Sequence, residues 1–248
     1  MQSGVSEMHC RAEDLAVEAG QYWRQSANRA WVQDMSHWRG RGRWADQRAW
    51  ATLGQRHVEM FQQLCALTGK TNKVRSILEW GPGGGANAVA FAPHVRRFYG
   101  VDISPANLEE CGIQLESVGF ADWHPITIDA NQPEQCLTAV DEPVDFVLCT
   151  AVFQHFPGKE YGIRVLGILN QVLAADGIAL IQIRYDDGSD VLRCKTGDYE
   201  KNVVTFTSYH IEEFWQLASQ AGLNPVSLVL KPDDCYAFYL LKKGVGRE

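Results

Sequence analysis

From residue 74 onward, short segments that are apolar at nearly every position alternate with segments whose apolar residues recur at helical spacing. Continuous apolar strands are typical of a parallel sheet buried on both faces, and the intervening segments predict helices that cover it. We predict strands at Val74–Trp80, Arg97–Asp102, Ile126–Asp129, Val144–Thr150, Ile178–Tyr185, Val226–Lys231 and Tyr236–Lys242. The predicted helices are Ala86–Ala92, Pro105–Val118, Lys159–Ala174 and Ser208–Ala221.

The last two predicted strands depart from this alternation, because only the turn Pro232-Asp233-Asp234 separates them. Strands joined by so short a turn form a hairpin and run antiparallel. The fold class is therefore α/β, with a mostly parallel sheet, helices on both faces and one late antiparallel strand.

The first 73 residues differ in character from the rest. Their net charge is +3 against −10 for residues 74–248, and they hold five of the eight tryptophans. Apolar spacing predicts one helix from Asp14 to about His37 and a second over Trp50–Leu67, with Asp46 as its N-cap and Gly69 at its end. We predict two units, an N-terminal helical segment over 1–73 and an α/β domain over 74–248.

The residue balance argues against several classes of protein. The 23 basic and 30 acidic residues give a net charge of −7, which disfavours DNA and anionic membranes as partners because it repels phosphates. Seven cysteines without a CxxC pair favour neither a disulfide framework nor a zinc ribbon. No apolar run fits a signal peptide or a membrane helix, so we expect a reducing, cytoplasmic location.

A glycine-rich loop is the most informative local feature. In SILEWGPGGGANAVAFAP, residues 76–93, a predicted strand runs through five residues of glycine and proline into a helix of small residues. Such a loop lets the backbone approach a ligand, and Asp102 at the end of the next strand suits the two hydroxyls of a ribose. Dinucleotide-binding folds satisfy the same pattern, so the loop by itself leaves the nucleotide cofactor open.

Three further features bear on that choice. Glu79, two residues before Gly81, would repel a pyrophosphate but attract an ammonium or sulfonium group. We expect no substrate domain of the kind that nicotinamide enzymes usually carry, and the predicted hairpin does not suit an all-parallel dinucleotide fold.

With these features the chain resembles the class I S-adenosylmethionine-dependent methyltransferases over about residues 74–242. The motifs that carry the resemblance are EWGPGGG (79–85), GVDIS (100–104), IDA (128–130), VDFVLCTAVFQHFP (144–157) and LAADGIALIQIRY (173–185). The resemblance implies S-adenosyl-L-methionine as the cofactor. It also implies a Rossmann-like sheet of seven strands, with strand seven antiparallel between strands five and six, and an N-terminal helical cap over the substrate.

The resemblance also implies roles for individual residues. Glu79 and the backbone of Gly81, Gly83 and Gly85 would hold the amino-acid end of the cofactor. Asp102 would bind the ribose, Ile103 would pack on the adenine, and Asp129 with Ala130 would meet the adenine amine. Thr150 and Ala151 would flank the methionine amine. The alternative for both aspartates is an acid at a surface turn.

The same pattern narrows the chemistry. The (Asp/Asn)-Pro-Pro-(aromatic) motif of the DNA amino-methyltransferases is absent after strand four, and we predict no metal site. His155 follows strand four and is the candidate general base, because histidine titrates near neutral pH. Its alternative is a packed or solvated loop residue. His57 lies on an apolar helix stripe and is predicted to be a hydrogen-bonded core residue.

The candidate acceptor-binding residues are Trp31, Trp38 and Tyr185, with one or two of the five early tryptophans expected to face a ligand. The loop at 186–206 is equally consistent with a lid and with a solvated connector. We predict methyl transfer to an oxygen or nitrogen atom of a small molecule, a secondary metabolite being one candidate. The alternatives are a protein or RNA methyltransferase, an NAD-binding protein and a non-catalytic methyltransferase-like subunit. The acceptor and the oligomeric state stay open.

Overall fold

The computed structural model describes the backbone of residues 2–244 and the side chains of residues 12–244. Its strands are β1 (Ser76–Trp80), β2 (Arg97–Asp102), β3 (Trp123–Thr127), β4 (Val144–Cys149), β5 (Leu173–Arg184), β6 (Leu223–Lys231) and β7 (Tyr236–Lys243). Its helices are α1 (Gln2–Arg24), α2 (Ala30–Met35), α3 (Gln47–Thr68), α4 (Ala86–Phe91), α5 (Pro105–Glu116), α6 (Gln135–Ala139), α7 (Lys159–Val172), α8 (Tyr199–Asn202) and α9 (Ile211–Gln220). Within residues 2–244, no helix has both the length and the apolar character needed to cross a membrane.

The strands form one seven-stranded sheet in the order β3-β2-β1-β4-β5-β7-β6. The pairs among β1 to β5 are parallel, whereas β7 runs antiparallel to both β5 and β6. This confirms the predicted Rossmann-like sheet with strand seven antiparallel between strands five and six. The strand order reverses between β1 and β4, and sheets of this type bind ligands at that point, beyond the carboxyl ends of the strands.

Strand β3 differs from its predicted range, because it begins at Trp123 rather than at Ile126 and ends before Asp129. It is an edge strand that pairs only with β2. Its side chains alternate in burial, with Pro125 and Thr127 exposed on either side of buried Ile126. An edge strand of this kind carries polar residues, so a search for continuous apolar runs finds only part of it.

Helix α3 covers one face of the sheet. Its buried residues Phe61, Leu64 and Cys65 pack in one cluster with Ile77 of β1 and Phe146 of β4. The two predicted helix signals are confirmed at its ends. Asp46 accepts hydrogen bonds from the backbone N–H groups of the first turn, and Gly69 ends the helix with φ = 71°.

The region before α3 differs from the single helix predicted over Asp14–His37. Helix α1 ends at Arg24, a 3-10 turn follows, and α2 begins at Ala30. The turn is held by Gln33, whose amide donates to the Ser26 carbonyl at 2.9 Å. Helices α1 and α2 share a small apolar core with the segment after β5. This core contains Leu15, Ala19, Tyr22, Val32, Tyr199, Val203 and Phe206.

Candidate active site

A cavity lies where the carboxyl ends of β1, β2 and β4 meet the N-terminal helices. It encloses about 730 Å³ of space between protein atoms, its open mouth included. The sheet edge and its loops contribute Trp80, Gly81, Gly83, Val101, Asp102, Ile103, Asn107, Ala130, Thr150, Ala151, Val152, His155, Phe156, Pro157 and Tyr161. The N-terminal segment and the segment after β5 contribute Ala16, Ala19, Trp23, Met35, Ser36, His37 and Tyr199. A concave site at this position in the fold is the expected place for a ligand.

The glycine-rich loop forms one wall of the cavity. Gly81 has φ = 73°, and its N–H donates to the Val101 carbonyl at 2.7 Å, which ties the loop to β2. A Cβ at Gly81 would lie 2.5 Å from a methyl carbon of Val152, which itself lines the cavity. Glycine is therefore required there both by the left-handed backbone and by the close approach of the loop after β4.

The N-terminal segment lies directly on this loop. The N–H of Gly84 donates to the Ser36 carbonyl at 2.7 Å. A Cβ at Gly84 would lie 2.5 Å from the Cα of Trp38. The segment at 36–38 therefore packs against the glycine-rich loop at backbone distance, a contact that nothing in the sequence indicates.

Asp102 lies at the end of β2 with its carboxylate held by two donors. The Ser104 N–H donates to Oδ1 at 2.8 Å, and the Asn107 amide donates to Oδ2 at 3.3 Å. The Trp38 indole N–H in turn donates to Asn107 Oδ1 at 2.9 Å. Burial raises the pKa of Asp102 to about 6, although these hydrogen bonds oppose the shift. The result is an oriented carboxylate on the cavity wall, suited to accept hydrogen bonds from hydroxyl groups.

Glu79 is buried at the end of β1, with 1% of its surface exposed. The Asn87 amide donates to Oε1 at 2.6 Å, while Oε2 has no hydrogen-bond partner among the described residues. Burial raises the pKa of Glu79 to about 8, the Asn87 hydrogen bond lowers it, and the charge of Asp102 raises it further. A cation beside Oε2 would relieve this cost of ionisation.

His57 lies on α3, buried and hydrogen-bonded as its position on an apolar stripe predicts. Its Nδ1 lies 2.7 Å from Oδ1 of Asn87, the residue that also contacts Glu79. Burial lowers the pKa of His57 to about 4, against the opposing effect of the Asn87 hydrogen bond.

The residues predicted around the adenine are not all brought together. Ile103 and Ala130 line the cavity, whereas Asp129 is exposed and does not. The Asp129 carboxylate accepts a hydrogen bond from the Asn131 N–H at 2.8 Å, which places it at a turn. Its geometry is that of the alternative reading, an acid that stabilises a surface turn.

The loop after β4 contributes Thr150 and Ala151, which both line the cavity as expected. Thr150 Oγ1 accepts a hydrogen bond from the Asn87 amide at 3.1 Å. Ala151 has φ = 58°, a conformation that is costly for a residue with a Cβ and that clusters at functional sites.

His155 lines the same cavity and is 9% exposed. Its Nδ1 lies 2.6 Å from the Val203 carbonyl, so Nδ1 carries the hydrogen and the lone pair remains on Nε2. Burial lowers the pKa of His155 to about 4, so the residue does not titrate near neutral pH as its role in the sequence prediction assumed; the ring is neutral at pH 7 and a weaker base than a free histidine. A second histidine, His37, lines the cavity from the N-terminal side, and burial lowers its pKa to about 3.

Of the five early tryptophans, Trp23 is the one that lines the cavity. Its ring packs edge-on against His155, with 4.9 Å between ring centroids. Its indole N–H donates to the Tyr199 hydroxyl, which donates to the His155 carbonyl. The sequence predicts such a role for one or two of the five without identifying Trp23.

The residues predicted to bind the acceptor lie outside the cavity. Trp31 is 59% exposed and donates to the Tyr22 hydroxyl at 3.0 Å, while Trp38 holds Asn107. Tyr185 pairs with Tyr209 in an isolated bridge at the end of β5. The predicted single helix is interrupted twice in this region: a 3-10 turn separates Trp31 from α1, and α2 ends at Met35, before Trp38.

No group of three or more histidine, cysteine, aspartate or glutamate residues within the described part of the chain could hold a metal ion. The arginines between Trp38 and Trp44 do not line the cavity. Arg43 pairs with Asp34 at 3.0 Å, and Arg39 contacts Gln47 and Gln114.

Comparison with known proteins adds to this geometry. A family model described as a methyltransferase domain matches residues 48–228, more than half of the chain. Among solved structures, a S-adenosylmethionine-dependent methyltransferase from Clostridium acetobutylicum ATCC 824 is 13% identical, with a TM-score of 0.59 over 75% of this chain and 90% of that one. The N-methyltransferase NodS from Bradyrhizobium japonicum WM9, in complex with S-adenosyl-L-homocysteine, is 16% identical, with a TM-score of 0.56 over 75% and 86% of the two chains.

No curated protein sequence matches the chain. At these identities the solved structures support the fold alone, whereas the family model covers the glycine-rich loop, Asp102 and the loop after β4. The cofactor of the family is S-adenosyl-L-methionine, and the complex of NodS holds its demethylated product. The chain therefore belongs to the class I S-adenosylmethionine-dependent methyltransferases.

Proposed function

We propose that this methyltransferase methylates an oxygen or nitrogen atom of a small, uncharged molecule bound in the cavity. The observation that carries the proposal is the lining opposite the sheet edge, where Trp23, Met35, Ser36 and His37 are contributed by the N-terminal segment. Among the described lining residues there is no lysine or arginine, and Asp102 is the one carboxylate. Apolar walls with a few polar groups suit a small molecule, whereas a nucleic acid needs cationic partners for its phosphates.

The residues in and next to the cavity fit the cofactor, although Glu79 and Gly85 are not among those that line it. Asp102 is assigned to the ribose hydroxyls, and Ile103 with Ala130 to the adenine. Glu79 and the backbone of Gly81, Gly83 and Gly85 are assigned to the methionine end, with Thr150 and Ala151 beside it. The buried Glu79 Oε2 without a partner supports this assignment, because an ammonium group would satisfy it. Asp129 takes no part in the proposal, since its carboxylate is occupied at the Asn131 turn.

Bound S-adenosylmethionine supplies an electrophilic methyl group on a sulfonium. The work left to the chain is to orient the acceptor, exclude water and, for a hydroxyl acceptor, to take up a proton. We assign the proton to His155 Nε2, because Nδ1 is occupied by the Val203 carbonyl. His37 is the second candidate, because it lines the cavity from the N-terminal side and no described residue hydrogen-bonds to its ring.

Helices α1 and α2 are proposed to act as the substrate cap of the predicted unit 1–73. The Ser26 hydroxyl contacts the Ser104 hydroxyl at 2.7 Å, and Gly84 is bonded to Ser36, so the cap is tied to both cofactor-binding loops. Helix α3, the rest of that unit, packs on the sheet.

A reducing, cytoplasmic location is proposed because the six described cysteines all carry free thiols.

The test is an acceptor screen that follows formation of S-adenosylhomocysteine. The panel contains neutral phenols, neutral amines, charged analogues of both, a peptide mixture and total RNA. With a hydroxyl acceptor, His155→Gln should lower kcat by about 100-fold through loss of the proton acceptor. Its dissociation constant for S-adenosylhomocysteine should stay within about twofold, because no cofactor contact is assigned to His155.

The matched control is His94→Gln, a hydrogen-bonded histidine that precedes β2 at the opposite edge of the sheet. It should leave kcat unchanged. Methyl transfer to RNA or peptide without transfer to any small acceptor would contradict the proposal. Cofactor binding without turnover on the whole panel would favour the non-catalytic alternative.

A further inference from the structure

A continuous line of buried hydrogen bonds runs from helix α3 to the end of β1. His57 Nδ1 contacts Asn87 Oδ1 at 2.7 Å, and the Asn87 amide donates to Glu79 Oε1 at 2.6 Å. The three side chains are 4%, 7% and 1% exposed, respectively. Water therefore does not compete for these hydrogen bonds, and each partner fixes the next.

Close packing of two helices makes this line possible. Gly54 lies one turn before His57 on α3 and faces α4, which carries Asn87. A Cβ at Gly54 would lie 2.7 Å from the Cβ of Ala90 and would also collide with the Ala86 carbonyl. Without a side chain at residue 54 the helices approach closely enough for His57 to reach Asn87.

The contacts define the orientation of the Asn87 amide. Its nitrogen lies 2.6 Å from Glu79 Oε1 and 3.1 Å from Thr150 Oγ1, so both amide hydrogens have acceptors. Its oxygen then faces His57, whose Nδ1 must carry the hydrogen. When Glu79 is ionised, as the bound ammonium group requires, the reverse orientation would place the amide oxygen against the carboxylate, and the two acceptors would repel each other.

We propose that His57 is a positioning residue for cofactor binding: through Asn87 it holds the Glu79 carboxylate so that Oε2 faces the ammonium group of the cofactor. The proposal rests on the assignment of Glu79 to the methionine end. His57 does not line the cavity, so it is proposed to act through the orientation of Asn87. The raised pKa of Glu79 is consistent with this, because a carboxylate held in so apolar a place has no other counter-charge.

The test compares two ligands that differ only in the ammonium group, S-adenosylhomocysteine and its deaminated analogue. His57→Phe keeps the ring that packs 5.8 Å from Phe238 but removes the N–H donor. It should weaken the binding of S-adenosylhomocysteine by up to about tenfold, the upper end of the range for a neutral hydrogen bond, and the binding of the analogue by less than about twofold. His57→Gln, which restores a donor, should recover most of the loss.

Two further variants show whether the effect passes through Glu79. In a Glu79→Gln background, adding His57→Phe should cause no additional selective loss of S-adenosylhomocysteine, because the group that it positions is already neutral. The control is His94→Phe, because His94 also packs against α3, at Phe61, but contacts neither Asn87 nor Glu79; it should change neither dissociation constant. Asn87→Ser removes the amide itself and repeats the test at the middle residue of the line, with α3 unchanged in sequence.

If His57→Phe and Asn87→Ser weaken the binding of both ligands equally, the proposal is overturned, because loss of a purely structural contact affects the whole cavity. Additive selective losses in the double variant would overturn it as well. Wild-type protein that binds S-adenosylhomocysteine no better than its analogue would remove the role of Glu79. Wild-type protein that binds neither ligand would remove the cofactor assignment, a failure seen before any variant is made.

Discussion

Glu79 should make cofactor binding depend on pH near neutrality. Burial raises its pKa to about 8, so the carboxyl is mostly protonated at pH 7 in the ligand-free protein. The ionised form attracts the ammonium group of the cofactor, and binding must therefore release the proton. Of the other titratable groups around it, Cys111 and Cys149 stay protonated because burial raises their pKa values.

The size of the effect follows from that pKa. With a value of about 8, roughly 1% of Glu79 is ionised at pH 6 and roughly 9% at pH 7. Because the apparent dissociation constant is divided by the competent fraction, it should fall about tenfold between these two values and level off above pH 8. Asp102, with its pKa raised to about 6, adds to the slope at the acid end for any ligand that carries the ribose.

The assay is isothermal titration of S-adenosylhomocysteine and its deaminated analogue between pH 6 and pH 8. The ratio of the two dissociation constants cancels the contribution of Asp102 and isolates Glu79. Titrations in two buffers of different ionisation enthalpy should show release of about 0.9 proton at pH 7 for S-adenosylhomocysteine alone. In Glu79→Gln the ratio should no longer depend on pH. A ratio that does not change with pH would refute the reasoning.

The same pKa has the opposite consequence for stability. In the unfolded chain Glu79 ionises near its ordinary value of 4.5, whereas in the folded protein it keeps its proton up to about pH 8. The folded state therefore binds more protons in this window, and the ligand-free protein loses stability as pH rises through it. Glu79→Gln should raise the melting temperature at pH 8 and weaken cofactor binding, both measurable in one thermal-shift series with and without ligand.

Three further predictions concern other residues. Gly81→Ala should weaken the binding of S-adenosylhomocysteine by at least about tenfold, since φ is 73° and the new Cβ meets Val152. Gly119→Ala, with φ = 75° and open space around the new Cβ, should cost about 1 kcal/mol of stability and leave the affinity unchanged. Trp38→Phe removes the indole donor that holds Asn107 and should weaken adenosine binding severalfold without changing the acceptor range. Asp129→Asn should leave the dissociation constant for S-adenosylhomocysteine unchanged in calorimetry.

Much of the cofactor-binding edge could be predicted from local signals. A buried strand appears in the sequence as a continuous apolar run. In the loop after β1, Gly81, Gly83 and Gly85 mark the positions where the backbone takes positive φ. Asp102 follows from its place at the end of the next strand. Each of these signals depends on residues close together in the chain, so the sequence pattern contains it.

The residues of the N-terminal segment could not be placed in this way. A continuous helix would put Trp31 and Trp38 on one face, but α2 ends at Met35 and Trp38 lies beyond it. Trp23 faces the cavity instead, and Trp38 supports Asn107. The turn between α1 and α2 is stabilised by contacts with Gln33 and Ser104, which no helical periodicity reveals.

The sequence by itself determined the strand pattern, the glycine-rich loop and the carboxylates at the strand ends, because propensity, burial and backbone conformation act over a few residues. Only the tertiary structure decided which polar groups meet. His57 and Asn87 are 30 residues apart and touch because Gly54 lets two helices pack closely. Asp129, predicted to meet the adenine amine, instead accepts a hydrogen bond within its own loop. Such outcomes depend on distances of a few tenths of an ångström between elements, which packing sets after the local structure has formed.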